Sequence, residues 1–249
     1  MAERVVLVTG ASRGIGAATA RLLAAQGYAV AVNFRQDRAA AEAVAGEIGA
    51  AGGHAIAIAA DVSDEAQVER LFADCETGLG RLHGLVNNAG TLETQMPLAR
   101  MDAARLQRVF ATNVIGSMLC AREAVRRMST ARGGAGGVIV NVSSAASRLG
   151  SPGEYVDYAA SKGAIDSFTL GLAREVAGEG IRVNAVRPGF IETGIHAQGG
   201  DPGRLERLAP SIPLRRAGTA EEVAQAIAWL LSGQSGYTTG ALLDVSGGR

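Results

Sequence analysis

Two side chains of this sequence stand at a spacing that could support acid/base chemistry, namely Tyr158 and Lys162. Residues four apart lie on one face of a helix, so a helical segment here would place the phenol beside the ammonium. A free tyrosine has a pKa of about 10, and a neighbouring cation favours the phenolate and lowers that value. We therefore expect Lys162 to depress the pKa of Tyr158 and to make it an acid/base that works near pH 7. The alternative is a solvated pair without chemistry.

A glycine-rich segment, residues 9–16, follows the first predicted strand. Its glycines, Gly10, Gly14 and Gly16, would let the chain turn tightly into a helix. They would also let the pyrophosphate of a dinucleotide approach the helix N-terminus, where free N–H groups and the helix dipole favour anions. The segment predicts nucleotide binding, and a tight turn without a ligand is the alternative.

The second predicted strand ends near Asn33, a position where enzymes that use NAD usually carry an acidic residue to hold the adenosine ribose. An amide would not repel a 2′-phosphate, and Arg13 and Arg35 could bind one through charge-assisted hydrogen bonds. NADP(H) is therefore favoured over NAD(H). The alternative is that both arginines are merely solvated.

Polar residues also follow the third and fourth predicted strands. Asp61 and Val62 come after the third, where the carboxylate could accept a hydrogen bond from the adenine amino group. Residues 87–90, Asn-Asn-Ala-Gly, end the fourth and could form a backbone shelf for the adenosine ribose. Ordinary turn chemistry would explain the same residues.

These residues can meet only if the elements that carry them belong to one sheet. Short β-branched runs alternate with longer helical patterns along the whole chain, which predicts an α/β fold with a doubly wound parallel sheet in a single domain, residues 1–249. Thr219 and Glu222 form a predicted capping box at the start of the last helix. The predicted strands are Val5–Thr9, Ala29–Asn33, Ala55–Ala59, Gly84–Asn87, Val138–Ser143, Arg182–Arg187 and Ala241–Asp244, and the predicted helices are Gly14–Gln26, Arg38–Ala51, Asp64–Thr77, Asp102–Met128, Tyr158–Ala177 and Ala220–Leu231.

The composition narrows the classes of partner. Basic and acidic residues number 24 each, so the formal net charge is zero and no nucleic-acid or polyanion partner is expected. No apolar run is long enough to span a membrane and no secretory signal is recognisable, so we expect a cytoplasmic protein. Cys75 and Cys120 lack metal-ligand spacing and are expected to be buried, and no metal site is predicted. Of the three histidines, only His196 falls in a predicted substrate loop.

Taken together, the motifs resemble the short-chain dehydrogenase/reductase family over essentially the whole chain. The resemblance implies a Rossmann-type seven-stranded sheet with helices on both faces, and oxidation or reduction of alcohols and carbonyls with NAD(P). It also implies a homotetramer, or in some members a dimer. The residues that carry it are Thr9-Gly10-x-x-x-Gly14-Ile15-Gly16, Asp61, Asn87-Asn88-Ala89-Gly90, Asn113, Ser144, Tyr158-x-x-x-Lys162 and Pro188-Gly189.

The resemblance assigns roles to four catalytic residues. Tyr158 would donate a proton to the carbonyl oxygen as hydride arrives, and Lys162 would hold the nicotinamide ribose. Ser144 would hydrogen-bond the substrate oxygen, and Asn113 would hold a water in a proton relay to Lys162. Ser144 is chosen over Ser143 because the family's serine lies three residues after the position of Asn141.

The resemblance also completes the expected cofactor site. Pro188 and Gly189 end the sixth strand, and Thr193 would contact the nicotinamide carboxamide. The full set of expected cofactor-binding residues is Gly10, Ser12, Arg13, Gly14, Ile15, Gly16, Asn33, Arg35, Asp61, Val62, Asn87, Ala89, Gly90, Tyr158, Lys162, Pro188, Gly189, Ile191 and Thr193.

The sequence indicates the type of reaction more narrowly than it indicates the substrate. The spacing of Tyr158 and Lys162 is shorter than in the enoyl reductase branch, which favours carbonyl reduction. The glycine loop resembles that of 3-oxoacyl-(acyl carrier protein) reductases, and glucose 1-dehydrogenases are nearly as similar. Specificity is expected in residues 91–98, 149–155 and 190–213. An acyl carrier protein could dock on the basic patch formed by Arg204, Arg207, Arg215 and Arg216. A catalytically silent NADP-binding regulatory protein is the alternative of another class.

Overall fold

The structure of the protein is a computed structural model, and it describes residues 4–193 and 203–249. Strands and helices alternate along the described chain, because β-branched runs alternate with alanine- and leucine-rich segments. The strands are β1 (Arg4–Val8), β2 (Tyr28–Phe34), β3 (His54–Ala59), β4 (Leu82–Asn87), β5 (Gly137–Val142), β6 (Ile181–Pro188) and β7 (Leu242–Val245). The helices are α1 (Gly14–Ala25), α2 (Arg38–Ala50), α3 (Glu65–Leu79), α4 (Ala103–Phe110), α5 (Ser117–Met128), α6 (Ala146–Leu149), α7 (Val156–Val176), α8 (Arg204–Leu208) and α9 (Ala220–Leu231).

The seven strands form one parallel sheet in the order β3-β2-β1-β4-β5-β6-β7. The chain moves outward from β1 to β3 and then returns to place β4 on the other side of β1. This reversal opens a crevice at the carboxyl ends of β1 and β4, where ligands bind in open α/β sheets. The doubly wound fold predicted from the sequence is confirmed.

Alternate residues of each buried strand face the two sides of the sheet, and each side has its own core. On one side, Val6 and Val8 of β1 lie in a core that includes residues of α1, α2 and α9. On the other, Val5 and Leu7 lie in a core that includes residues of α3, α5 and α7. Helices therefore cover both faces, which explains why the strands read as nearly continuous apolar runs.

Local capping sets the starts of several helices. The Thr219 side chain accepts from the Glu222 backbone and the Glu222 side chain accepts from the Thr219 backbone, so the predicted capping box is confirmed. Asp37 caps α2 by accepting a hydrogen bond from the Ala40 backbone at 3.1 Å. Among the described residues, no helix is long and apolar enough to cross a membrane.

Two differences between predicted and observed helices bear on the site. The segment predicted as one helix, Asp102–Met128, is capped by Asp102 and consists of α4 and α5 joined by a π-helical turn over Ala111–Gly116. A π turn inserts one extra residue into the helical repeat, which apolar periodicity does not reveal. The helix predicted from Tyr158 begins earlier, at Val156, so Tyr158 lies in its first turn.

Candidate active site

A cavity of about 1070 Å³ runs along the carboxyl ends of the central strands. It is the crevice that the reversal of strand order creates, and most of the residues selected from the sequence line it. These are Gly10, Ser12, Arg13, Gly14, Ile15, Asn33, Arg35, Asp61, Val62, Ala89, Gly90, Ser144, Tyr158, Lys162, Pro188, Gly189, Ile191 and Thr193.

The fold brings Tyr158, Lys162 and Ser144 together at one end of this cavity. Lys162 is buried, and its Nζ lies 5.6 Å from the centroid of the Tyr158 ring. The Lys162 ammonium donates a hydrogen bond of 2.8 Å to the Val142 carbonyl at the end of β5. The Tyr158 and Ser144 side chains are hydrogen-bonded to each other. The two hydroxyls and one ammonium therefore converge on a space open to a ligand.

The electrostatics of Tyr158 differ from the expectation. Burial raises the pKa of Tyr158 above its usual value, and the hydrogen bond with Ser144 offsets this only in part. Burial also lowers the pKa of Lys162, to about 8, against the opposing charge of Asp166. The prediction that Lys162 lowers the pKa of Tyr158 is therefore wrong for this structure. Its ammonium is directed to the Val142 carbonyl, and desolvation outweighs its charge.

The two adjacent serines have different surroundings. The Ser143 hydroxyl is buried and donates a hydrogen bond of 3.1 Å to the Lys162 carbonyl. The Ser144 hydroxyl accepts from the Ala146 backbone at 3.1 Å and lies beside Tyr158. The Ser144 hydroxyl is thus the one beside Tyr158, while the Ser143 hydroxyl links the end of β5 to α7.

Asn113 lies in the π-helical turn, but its side chain does not line the cavity. Its amide oxygen accepts from the Thr91 backbone at 2.7 Å, and its amide nitrogen donates to the Thr91 carbonyl and to the Ser161 hydroxyl. Protein partners therefore use both N–H bonds of this amide, and the relay role expected of Asn113 stays a prediction. The structure gives Asn113 a positioning contact between the loop after β4 and α7.

Asn87 and Gly16 were expected at the cofactor and do not line the cavity. The Asn87 amide is buried and donates to the Ser117 carbonyl and to Asn141, because the side chain of a strand residue points across the sheet layer rather than along its edge. A Cβ on Gly16 would stand 2.5 Å from the Asn88 amide nitrogen, so this glycine permits the close packing of α1.

The glycine loop fits the pyrophosphate of a dinucleotide. Gly10 has a φ of +61°, and a Cβ there would stand 2.9 Å from the Cα of Ala89. The first turn of α1 contains no acidic residue, and Arg13 at its N-cap makes no side-chain capping bond. The N–H groups at this helix N-terminus are therefore not satisfied by a side chain, which suits an anion.

Opposite charges lie side by side at the end of the cavity next to β2 and β3, where the adenosine of a dinucleotide is expected. The buried Asn33 amide accepts a hydrogen bond from the Gly10 backbone and donates to the carbonyls of Phe34, Ile58 and Ala60. It therefore holds the glycine loop against the end of β3 rather than binding a ligand. The Arg35 guanidinium is exposed at 55% and lies 3.7 Å from the Asp61 carboxylate. The other Asp61 oxygen accepts from both the backbone and the hydroxyl of Ser63.

Several residues at the site carried no recognisable signal in the sequence. Phe190 and the last residue, Arg249, line the cavity, and the Arg249 guanidinium lies over the Phe190 ring at 4.8 Å. A buried ion pair of Arg105 with Asp157 joins α4 to the residue just before Tyr158. Its partners are 52 residues apart, so only the fold reveals it. The described part of the chain contains no cluster of ligands for a metal, and His196 lies outside the described residues.

Comparison with known proteins assigns this arrangement to a family. A family model described as "Enoyl-(Acyl carrier protein) reductase" matches residues 10–249. An uncharacterized oxidoreductase, YgfF of Escherichia coli K12, is 58% identical over 245 residues, which are 98% of this chain and 99% of that protein. The chain belongs to the short-chain dehydrogenase/reductase family. The short-chain dehydrogenase/reductase assignment made from the motifs is therefore confirmed.

Further members of the family are similar along the whole chain. A 3-oxoacyl-[acyl-carrier-protein] reductase of Synechocystis is 40% identical over 100% of this chain and 97% of its own. A cis-4-hydroxycyclohexanecarboxylate dehydrogenase of Sinomonas cyclohexanicum is 41% identical over 99% of this chain and 96% of its own. The crystal structure of a dehydrogenase/reductase from Sinorhizobium meliloti superposes with a TM-score of 0.91 and 35% identity, covering 100% of this chain and 95% of that one. The protein is an oxidoreductase that acts on CH–OH or C=O groups with a nicotinamide cofactor.

Proposed function

We propose that this enzyme reduces a ketone to a secondary alcohol with NADPH, or catalyses the reverse reaction, and that 3-oxoacyl thioesters are its substrate class. The observation that supports this most is the convergence of Tyr158, Ser144 and Lys162 at the end of a dinucleotide-sized crevice. Relatives named as 3-oxoacyl-[acyl-carrier-protein] reductases, at 40% identity, favour this substrate class.

Ketone reduction is favoured over reduction of a carbon–carbon double bond, although the matching family model is described as an enoyl reductase. The polar groups of the site are suited to bind a substrate carbonyl oxygen, because the Tyr158 and Ser144 hydroxyls lie together on the cavity wall and are hydrogen-bonded to each other. Two hydroxyls at one point can both hydrogen-bond a carbonyl oxygen, on which negative charge develops during hydride addition.

A nicotinamide cofactor bound in the crevice would supply the hydride that adds to the carbonyl carbon. Tyr158 donates its phenolic proton to the carbonyl oxygen, so the carbon–oxygen double bond becomes a secondary alcohol. Ser144 hydrogen-bonds the same oxygen and orients it. Lys162 would hold the nicotinamide ribose through its ammonium. The raised pKa of Tyr158 keeps the phenol protonated before the transfer, as the reductive direction requires.

The preference for NADPH is supported by the arginine beside the adenosine end of the cavity. Arg35 lies at the end of β2 with an exposed guanidinium, and its ion-pair partner Asp61 is 3.7 Å away. A 2′-phosphate carries about two negative charges, so it could replace the singly charged Asp61 carboxylate as the partner of Arg35.

We expect Arg35→Ala to lower kcat/KM for NADPH about 10- to 100-fold and to leave kcat/KM for NADH nearly unchanged. The loss combines a missing charge-assisted bond with repulsion between the phosphate and the uncovered Asp61 carboxylate. Arg38→Ala is the matched control, because Arg38 is an exposed arginine on α2 that pairs with Glu42 and does not line the cavity. A wild-type preference for NADH that persists in Arg35→Ala would contradict the proposal.

The substrate class is tested by a panel assayed at 340 nm with both cofactors. The panel contains a 3-oxoacyl thioester, an enoyl thioester, a cyclic ketone that bears a carboxylate, and glucose for the oxidative direction. We expect the 3-oxoacyl thioester to give the highest kcat/KM, with NADPH. Turnover of the enoyl thioester or of glucose alone would overturn the assignment and favour a double-bond reductase or a sugar dehydrogenase.

Three further expectations from the sequence stay predictions. Exposed apolar side chains on the outer faces of the π turn, α5 and α7, namely Ile115, Met118 and Leu170, support a homotetramer. Arg215 and Arg216 would contribute to docking of an acyl carrier protein, although Arg216 is already paired with Glu222. A cytoplasmic location is the third.

A further inference from the structure

A buried ion pair lies directly behind the catalytic lysine. Asp166 is one helical turn after Lys162 on α7, so the two side chains share a face of that helix. The Asp166 Oδ2 accepts from Arg187 of β6 at 3.0 Å from Nε and 2.9 Å from Nη2. Both side chains of this pair are largely buried, at 11% and 14% exposure. The mechanism above uses neither of them.

The second oxygen of Asp166 has no partner of its own. Asp166 Oδ1 is buried and accepts no hydrogen bond from any described residue. A buried carboxylate oxygen without a donor is costly, and few are retained without a reason. Lys162, four residues earlier on α7, is a buried cation on the same face of the helix.

Lys162 needs such a charge. It is 4% exposed, and its ammonium has one hydrogen bond to a carbonyl, that of Val142. On its own helix the titratable groups facing it are Tyr158 and Asp166. Behind Asp166 stand Arg187 on β6 and then Asp244 on β7, which lies 3.8 Å from Arg187.

We propose that Asp166, held in place by Arg187, is a positioning residue that keeps Lys162 in its ammonium form at the pH at which the enzyme works. Burial alone would favour the neutral amine, and the Asp166 charge opposes it. The resulting pKa of Lys162 is about 8. This inference rests on the proposed function, because it assumes that Lys162 acts as a cation beside Tyr158.

The test is the pH profile of ketone reduction in Asp166→Asn, which keeps the shape of the side chain and removes its charge. Lys162 loses its proton as the pH rises through its pKa. The fall of kcat/KM on the alkaline side of the pH profile, the alkaline limb, therefore marks the titration of Lys162. Without the Asp166 charge that pKa falls, and we expect the limb to move to lower pH by about one unit. Tyr158 does not mask this limb, because its raised pKa places its own titration higher.

Two variants make the result specific. Asp166→Glu keeps the charge, and we expect its limb to stay near that of the wild type. Asp244→Asn also removes one negative charge, but on the side of Arg187 away from Lys162. We expect it to move the alkaline limb much less. A purely structural role would lower the rate of Asp166→Asn at every pH and leave the limb in place, which would overturn the proposal. If Asp166→Asn does not fold, a limb in Asp244→Asn that moves by a full unit would overturn it as well.

NADPH affinity, followed by fluorescence from pH 6 to 10, separates this proposal from the proposed function. Lys162 is expected to hold the nicotinamide ribose only as an ammonium, so binding should weaken across the same pH range without any substrate. If no ketone in the panel is reduced, the proposed function fails, and a binding limb lowered by Asp166→Asn would still support the role of Asp166. An unmoved binding limb would overturn that role even in an active ketone reductase.

Discussion

Tyr158→Phe is expected to lower kcat for ketone reduction about 1000-fold while NADPH still binds with nearly the wild-type affinity. The substitution removes one hydroxyl, so the alkoxide that forms on hydride addition loses its proton donor. The ring and its packing against Lys162, at 5.6 Å, are retained, so the cavity keeps its shape. Steady-state rates together with NADPH fluorescence titrations measure the two effects separately.

Tyr155→Phe is the matched control for this prediction. Tyr155 is a buried phenol that lines the same cavity, but four residues after it stands Ala159 rather than a lysine. We expect its replacement to change KM and to leave kcat within about tenfold, because it removes no proton from the reaction. A Tyr158→Phe enzyme that is as active as Tyr155→Phe would refute Tyr158 as the acid.

Arg105→Met is expected to lower the free energy of unfolding by about 3–5 kcal/mol, because it leaves a buried carboxylate without its partner. Arg105 Nε lies 2.7 Å from Asp157, and the two side chains are 3% and 1% exposed. Arg105 also donates to the Thr94 carbonyl at 2.5 Å, so it fastens the loop after β4 to the start of the catalytic helix. Urea denaturation followed by circular dichroism measures the loss, at one protein concentration because oligomerisation would shift it.

The same helix provides a control for Arg105→Met. Arg108 pairs with Glu93 at 2.8 Å, but its side chain is 59% exposed, so Arg108→Met should leave the denaturation midpoint nearly unchanged. The double variant Arg105→Met with Asp157→Leu should recover part of the loss, since it removes the unpaired charge. A single variant as stable as the wild type would show that solvent reaches Asp157.

The local part of the site was predictable because it depends on residues close together in the sequence. Gly10 and Gly14 line the cavity as the turn from β1 into α1 requires, and Tyr158 and Lys162 share a helix face because they are four residues apart. The resemblance also selected Ser144 over Ser143, and the fold places Ser144 beside Tyr158.

Predictions failed where a side chain's partner comes from a distant element. Asn87 was expected at the cofactor, but its amide binds Ser117 and Asn141 inside the protein. An asparagine in a motif does not reveal whether its amide faces a ligand or a neighbouring strand, because that depends on the backbone direction at one residue and on what packs against it.

The sequence by itself determined the order of strands and helices, the parallel doubly wound sheet, the glycine turn and the pairing of Tyr158 with Lys162 on one helix face, because hydrophobic periodicity and short spacings encode them. The tertiary structure alone decided the electrostatics of that pair. Burial sets the direction of both pKa shifts, and Asp166 opposes it at Lys162 while Arg187 of β6 holds Asp166 in place. Desolvation of a group depends on every element packed around it, so a pattern in a short stretch of sequence cannot predict it.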